Sequence, residues 1–301
     1  MDLNAYVEKS YGGVHALMLT PFKEDLSVDY DIYPEYVRWQ IAQGAHYLFA
    51  VCGSSEMGKL TLEERVKLAA LTAKHREGAV KVFATGNLEP TWHAQLDEIK
   101  RMEDTGVDGL VFVTKGYADD EERQITYLKE LIEHTALPVI LYEYPGFKPA
   151  QISAYVYGEL VKTGRVFGIK DTTCTMRQIS EKIAVQGETC VLQANIPLLL
   201  EAYKAGARGT MSTPTTCGTK IFRRMWDAFV AGDMKEATEQ HANICLLDGA
   251  LDGGFTATAK FLVAQQGVPM NWFTRNGHVL SESKQAALRT FYEWAARHGV
   301  L

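Results

Sequence analysis

A lysine that ends one apolar run, a tyrosine that ends another, and two adjacent serines behind a glycine are the residues of this chain best placed to do chemistry. Lys170 closes Val166-Phe167-Gly168-Ile169, a run whose burial strips water from the amine and disfavours its charge. An ordinary lysine is about one part in a thousand neutral at physiological pH. A nucleophilic amine therefore needs its pKa lowered by roughly 3, worth about 4 kcal/mol, which desolvation can supply. The neutral amine condenses with a ketone to an imine, and the protonated imine draws electrons from the adjacent carbon, so that C–C or C–O bonds further along can break. The competing reading is a strand-end lysine paired with an acid such as Asp171. Lys115, after Leu110-Val111-Phe112-Val113-Thr114, is a rival nucleophile one residue further into a loop. Tyr142 ends Pro138-Val139-Ile140-Leu141 and could relay protons, or could be a core tyrosine satisfied by backbone. Ser54 and Ser55, with their flanking amides, offer a cradle for a carboxylate, although such turns also occur without function.

These residues stand just after apolar runs, and the runs recur. Strands are expected at Ala16–Leu19, Tyr47–Val51, Val80–Ala84, Gly109–Val113, Val139–Tyr142, Val166–Ile169, Cys190–Gln193 and Arg208–Met211, each a short apolar stretch bounded by polar or turn residues. Helical spacing fills the gaps, as at Asp31–Gln43, Leu62–Lys74, Thr91–Thr105, Asp120–His134, Ser153–Lys162, Met176–Gln186 and Pro197–Ala205. Gly44, Gly106 and Gly206 follow helices directly and suit left-handed caps. Eight alternations predict an α/β fold, a (β/α)8 TIM barrel over residues 1–222, with residues 223–301 as a C-terminal helical extension packed on it. A doubly wound open sheet is the runner-up, but the loop after the first strand reads Thr20-Pro21-Phe22-Lys23, without the glycines of a nucleotide fold. In a barrel, reacting groups come from the carboxyl ends of strands. That rule selects Gly53-Ser54-Ser55-Glu56, Thr114-Lys115-Gly116-Tyr117, Tyr142-Glu143-Tyr144-Pro145 and Lys170-Asp171-Thr172-Thr173.

Composition narrows the class. A net charge of −6 without a basic run argues against nucleic acid, and no apolar stretch is long enough to span a membrane. Met1–Ser10 lacks an apolar signal core, so a cytoplasmic protein is expected. The five cysteines contain no Cys-x-x-Cys pair, which favours reduced thiols over disulfides or zinc. The eight histidines show no His-x-His or His-Glu-x-x-His spacing, and Gly-x-Ser-x-Gly is absent. Neither a catalytic metal nor a serine-hydrolase elbow is expected.

Taken together, and in this order, the four segments resemble the dihydrodipicolinate synthase and N-acetylneuraminate lyase family of class I aldolases and dehydratases. Further anchors are Gly13-Val14-His15-Ala16-Leu17-Met18-Leu19-Thr20-Pro21-Phe22, Leu60-Thr61-Leu62-Glu63-Glu64-Arg65 and Gly168-Ile169-Lys170-Asp171, so the resemblance spans nearly the whole chain. It implies a cofactor-free lyase with a covalent imine on Lys170, Tyr142 as proton relay, and Ser54 and Ser55 binding the carboxylate of a small 2-oxo acid and continuing the relay. Tyr117 resembles the tyrosine that family members lend across a dimer contact, and the resemblance implies a homotetramer built as a dimer of dimers. Thr172, Asn195 and Thr213 occupy positions that face the substrate tail in relatives, and Met211 one that would help wall the mouth. Phe147 with Lys148 stands where dihydrodipicolinate synthases carry an arginine for the aldehyde's carboxylate, and Asn195-Ile196-Pro197-Leu198 where sialic acid lyases place acids. The implied substrate is then a 2-keto-3-deoxy sugar acid of modest size, cleaved to pyruvate. Alternatives are dehydration of such an acid, cleavage of a substrate with an apolar or aromatic tail against Phe147 and Ile196, and a binding or regulatory protein on the same barrel.

Overall fold

A computed structural model describes residues 11–252 and 255–301; residues 1–10, read above for an export signal, lie outside the described residues. Eight strands run in chain order and close into a barrel: β1 Gly13–Leu17, β2 Tyr47–Phe49, β3 Lys81–Thr85, β4 Gly109–Val113, β5 Val139–Tyr142, β6 Val166–Asp171, β7 Cys190–Gln193 and β8 Gly209–Thr210. Every pairing in register is parallel, from β1 with β2 and from β3 through to β8. Parallel strands are covered on both faces, which is why Leu110-Val111-Phe112-Val113 and Val139-Ile140-Leu141 are continuous apolar runs with no exposed member. Three strands, β2, β4 and β8, are reached through the expected glycines, with Gly44, Gly106 and Gly206 at φ of 91°, 82° and 110°.

The described chain packs as two compact units, residues 11–13 with 82–212 and residues 14–81 with 213–301. The first holds β3 to β8 and helices α3 Trp92–Glu103, α4 Glu121–Glu133, α5 Ala154–Val161, α6 Met176–Val185 and α7 Leu199–Ala205. Here Gly209 lies so close to Gly13 that a Cβ at position 209 would sit 2.3 Å from the Gly13 carbonyl oxygen, and a side chain there would push the strands apart. Gly168 is similar, since a Cβ would meet the Cys190 carbonyl at 2.8 Å two residues before Lys170. Asp120 and Ser153 cap α4 and α5 through their side chains.

The second unit holds β1, β2 and helices α1 Tyr33–Ala42, α2 Leu62–His75, α8 Thr215–Val230, α9 Met234–Leu251, α10 Phe255–Gln265 and α11 Glu282–Arg297. Thr61 and Glu64 close a reciprocal capping box at the start of α2. Among the described residues no helix is long and apolar enough to cross a membrane.

Ionic burial also holds this second unit. Glu56 takes a left-handed backbone at φ 58° and accepts from Lys260 Nζ at 3.0 Å, Arg275 N at 2.8 Å and Asn276 N at 2.9 Å. Arg275 forks onto Glu64 with two 2.7 Å bonds. Loss of water outweighs the pull of Glu56 and brings the Lys260 pKa down to about 8. The unfolded chain keeps that proton to about 10.4, so between the two values the unfolded state binds more protons and stability climbs with pH. Urea unfolding of the wild type and Lys260→Met from pH 7.5 to 10 should show the wild type gaining about 1–3 kcal/mol on the variant. A constant difference contradicts the assignment.

Candidate active site

β5 and β6 pair so that Tyr142 lies opposite Lys170. Paired residues of a parallel ladder share a face, and the Lys170 Nζ sits 4.3 Å from the centre of the Tyr142 ring. Both are almost wholly buried, at 2% and 4% exposure. β6 runs to Asp171, so Lys170 is held by the sheet and not by a loop.

Their neighbours go the other way. Successive strand side chains alternate in direction, and Glu143 and Asp171 lie with Lys182 of α6, whose Nζ is 2.5 Å from Glu143 and 3.3 Å from Asp171. Asp171 was the acid open to Lys170 from sequence; its carboxylate instead takes the Thr173 amide at 2.6 Å and faces Lys182. Burial raises the Glu143 pKa, and the Lys182 ammonium pulls against that rise. The rival Lys115 is drawn into the backbone, donating to the carbonyls of Leu88 at 2.8 Å and Glu89 at 3.1 Å, with its charge over the Phe147 ring.

The serine pair divides its work. Gly53–Ser55 forms one turn of 3-10 helix after β2. The Ser55 hydroxyl is occupied by the carbonyls of Met18 and Ala50, at 2.8 and 3.0 Å, and by the Cys52 amide at 3.1 Å. It holds the turn. The Ser54 hydroxyl has no hydrogen-bond partner among the described residues although the residue is 5% exposed. Tyr117, half-buried after β4, stands edge-on to Tyr127 at 5.0 Å with Arg123 over its ring at 4.3 Å.

Of the tail-facing candidates, Thr172 is tied to Glu143 twice, its amide to Oε2 at 2.8 Å and its hydroxyl to the carbonyl at 3.0 Å. It lines a cavity of about 630 Å³ with Ala118, Pro145, Lys148, Pro149, Ala150 and Gln151. Asn195 is spent locally, donating to Cys174 Sγ at 3.1 Å and accepting the Leu198 amide at 3.3 Å. Met211 is fully buried after β8. The Thr213 carbonyl accepts the amide and hydroxyl of Thr216 at the start of α8. Gln151 was not singled out from sequence; the loop from Pro145 to Ile152 brings it to the cavity wall with Lys148. Lys182 was also missed; its signal is a pair of carboxylates, one after each reactive position, that alternation turns away from Tyr142 and Lys170 toward the helix layer and that need a cation.

The dihydrodipicolinate synthetase family model matches residues 10–292. The chain belongs to this family. A 4-hydroxy-tetrahydrodipicolinate synthase of Magnetococcus marinus is 27% identical over 284 residues, covering 92% of this chain and 96% of the relative. A protein of Thermofilum pendens named as a DapA-like lyase is 28% identical over 273 residues, covering 87% and 90%. Among solved structures, YagE of Escherichia coli K12, in complex with pyruvate, superposes with a TM-score of 0.88 at 20% identity, covering 97% and 99%. Dihydrodipicolinate synthase of Bacillus anthracis gives 0.86 at 25%, covering 94% and 98%. The protein is an enzyme, a lyase of the Schiff-base-forming, pyruvate-dependent kind that the dihydrodipicolinate synthetase family comprises.

Proposed function

We propose that this family member is a pyruvate-releasing aldolase of a 2-keto-3-deoxy sugar acid, with its imine on Lys170 and no added cofactor. The observation that carries the reading is the buried Lys170 amine over the Tyr142 ring, held by paired strands; a cavity walled by Thr172, Gln151, Lys148 and small apolar residues lies among the loops that follow β4, β5 and β6.

Removal of an ammonium from water favours the neutral, nucleophilic form. The Lys170 amine adds to the C2 ketone, and the carbinolamine loses water to give a protonated imine. That cation draws the C3–C4 electron pair toward C2 as the C4 hydroxyl loses its proton, so an aldehyde leaves and an enamine remains. The enamine takes a proton at C3, and water releases pyruvate and the free amine. Tyr142 carries the protons of the carbinolamine steps. The open Ser54 hydroxyl and the amides of its turn are assigned to the substrate carboxylate, with Ser55 holding the turn. Tyr117 as a tyrosine lent across a dimer contact, the dimer-of-dimers tetramer and a cytoplasmic setting are carried as parts of the same proposal.

A polar tail fits better than an aromatic one. Phe147, the residue that could have lined an apolar pocket, is half-buried between the Lys115 ammonium at 4.4 Å and the Tyr144 ring at 5.7 Å. Dehydration shares the imine and differs only in the bond that breaks beyond it. The test is a panel of 2-keto-3-deoxy acids, with pyruvate plus aldehyde condensation run alongside. Release of pyruvate and the shorter aldehyde from a sugar acid is expected. A dioxo product of unspent carbon skeleton moves the assignment to a dehydratase, and efficient condensation with no sugar-acid cleavage overturns it.

A further inference from the structure

Behind the wall that carries Tyr142 and Lys170, one buried carboxylate has four donors aimed at it. Glu143 Oε1 accepts from Lys182 Nζ at 2.5 Å and from the Ile152 amide at 2.7 Å. Its Oε2 accepts the Thr172 amide at 2.8 Å and faces the Thr173 hydroxyl at 3.5 Å. Lys182 Nζ also donates to that hydroxyl at 2.7 Å. A carboxylate is the one side chain of this size that accepts at both ends; an amide would turn a donor toward donors.

Such a cluster is not explained by stability. Glu143 and Asp171 are fully buried and Lys182 is 2% exposed, two carboxylates against one ammonium, and a buried ion pair returns little beyond its own desolvation cost. What the cluster does is join parts. Glu143 is bonded covalently to Tyr142, and its amide donates to the Lys170 carbonyl at 3.4 Å. Through Ile152 and Thr172 its carboxylate fixes the loops after β5 and β6, and the cavity wall is drawn largely from these loops.

We propose that Glu143, clamped by Lys182, is a positioning residue: it sets the hydroxyl of Tyr142 against the amine of Lys170 and holds the two loops, after β5 and β6, that wall the neighbouring cavity. The inference rests on the imine reading of Lys170. Displacements of about 1 Å in a reacting pair cost on the order of 100-fold in rate, so Glu143→Gln should slow imine formation with pyruvate, followed by borohydride trapping, about 10- to 100-fold. The pyruvate concentration that gives half-maximal trapping should change less than about threefold, since Glu143 does not touch the ligand.

A positioning role acts through Tyr142, and a double-mutant cycle exposes it. In a Tyr142→Phe background the same Glu143→Gln change should cost less than about threefold. Equal losses in both backgrounds, or a wild-type trapping rate in folded Glu143→Gln, overturn the proposal. If that variant does not fold, Thr173→Val, which removes one shared hydroxyl, decides instead: imine formation slowed about 3- to 10-fold supports the clamp, and an unchanged rate overturns it. Failure of the underlying reading is distinguishable, because then the wild-type enzyme itself gives no adduct on Lys170.

Discussion

Lys170→Ala and Lys170→Arg should lose turnover by at least about 10⁴-fold while the barrel still folds. Alanine removes the nucleophile. Arginine is the sharper test, because it keeps a cation on a long stem but cannot give up its proton and cannot form an imine. Any role of Lys170 as a mere positive charge, holding a carboxylate or a strand end, would leave substantial activity in the arginine variant. The adjacent Asp171 carboxylate takes the Thr173 amide and faces Lys182. The measurement is kcat by pyruvate release, with unfolding curves to show that both variants remain folded.

Tyr142→Phe should lower kcat by about 10²- to 10³-fold, with little change in KM. The ring stays, so packing against Tyr144 at 5.5 Å is preserved, and only the hydroxyl is lost. A core tyrosine whose hydroxyl merely satisfies backbone would lose stability on this change and keep its rate. A relay tyrosine does the reverse: carbinolamine formation and dehydration both need a proton moved, and both slow. Steady-state kinetics beside thermal unfolding separate the two outcomes, and a folded variant with wild-type kcat removes Tyr142 from the mechanism.

The barrel was legible because its strands are covered on both faces. β4, β5 and β7 appear where their apolar runs begin and end, Gly109–Val113, Val139–Tyr142 and Cys190–Gln193. The edges of other runs misled. β1 begins at Gly13 and stops at Leu17, while Met18 and Leu19, equally apolar and fully buried, belong to the loop that caps the end of the strand. β8 shrinks to Gly209–Thr210, since hydrophobicity reports burial and not ladder bonding.

At the site, the positions of Tyr142 and Lys170 were readable from the ends of runs, but which neighbours share their face was not. Alternation gives only relative direction, so Glu143 and Asp171 read as members of the same mouth until the register placed them behind it. Ser54 and Ser55 read as an equivalent pair because adjacent serines carry no sign of which hydroxyl the backbone will take. Lys182 lies within the helical spacing of Met176–Gln186, where nothing marks it; a lysine is seldom buried without a partner, and its partners lie 39 and 11 residues away.

The most direct test of the central claim is borohydride reduction of the folded wild-type enzyme in the presence of pyruvate, followed by peptide mass spectrometry. A reduced pyruvyl adduct on Lys170, absent without pyruvate, is the expected result. An intact, folded protein that yields no adduct, or one whose adduct maps to Lys115, contradicts the account.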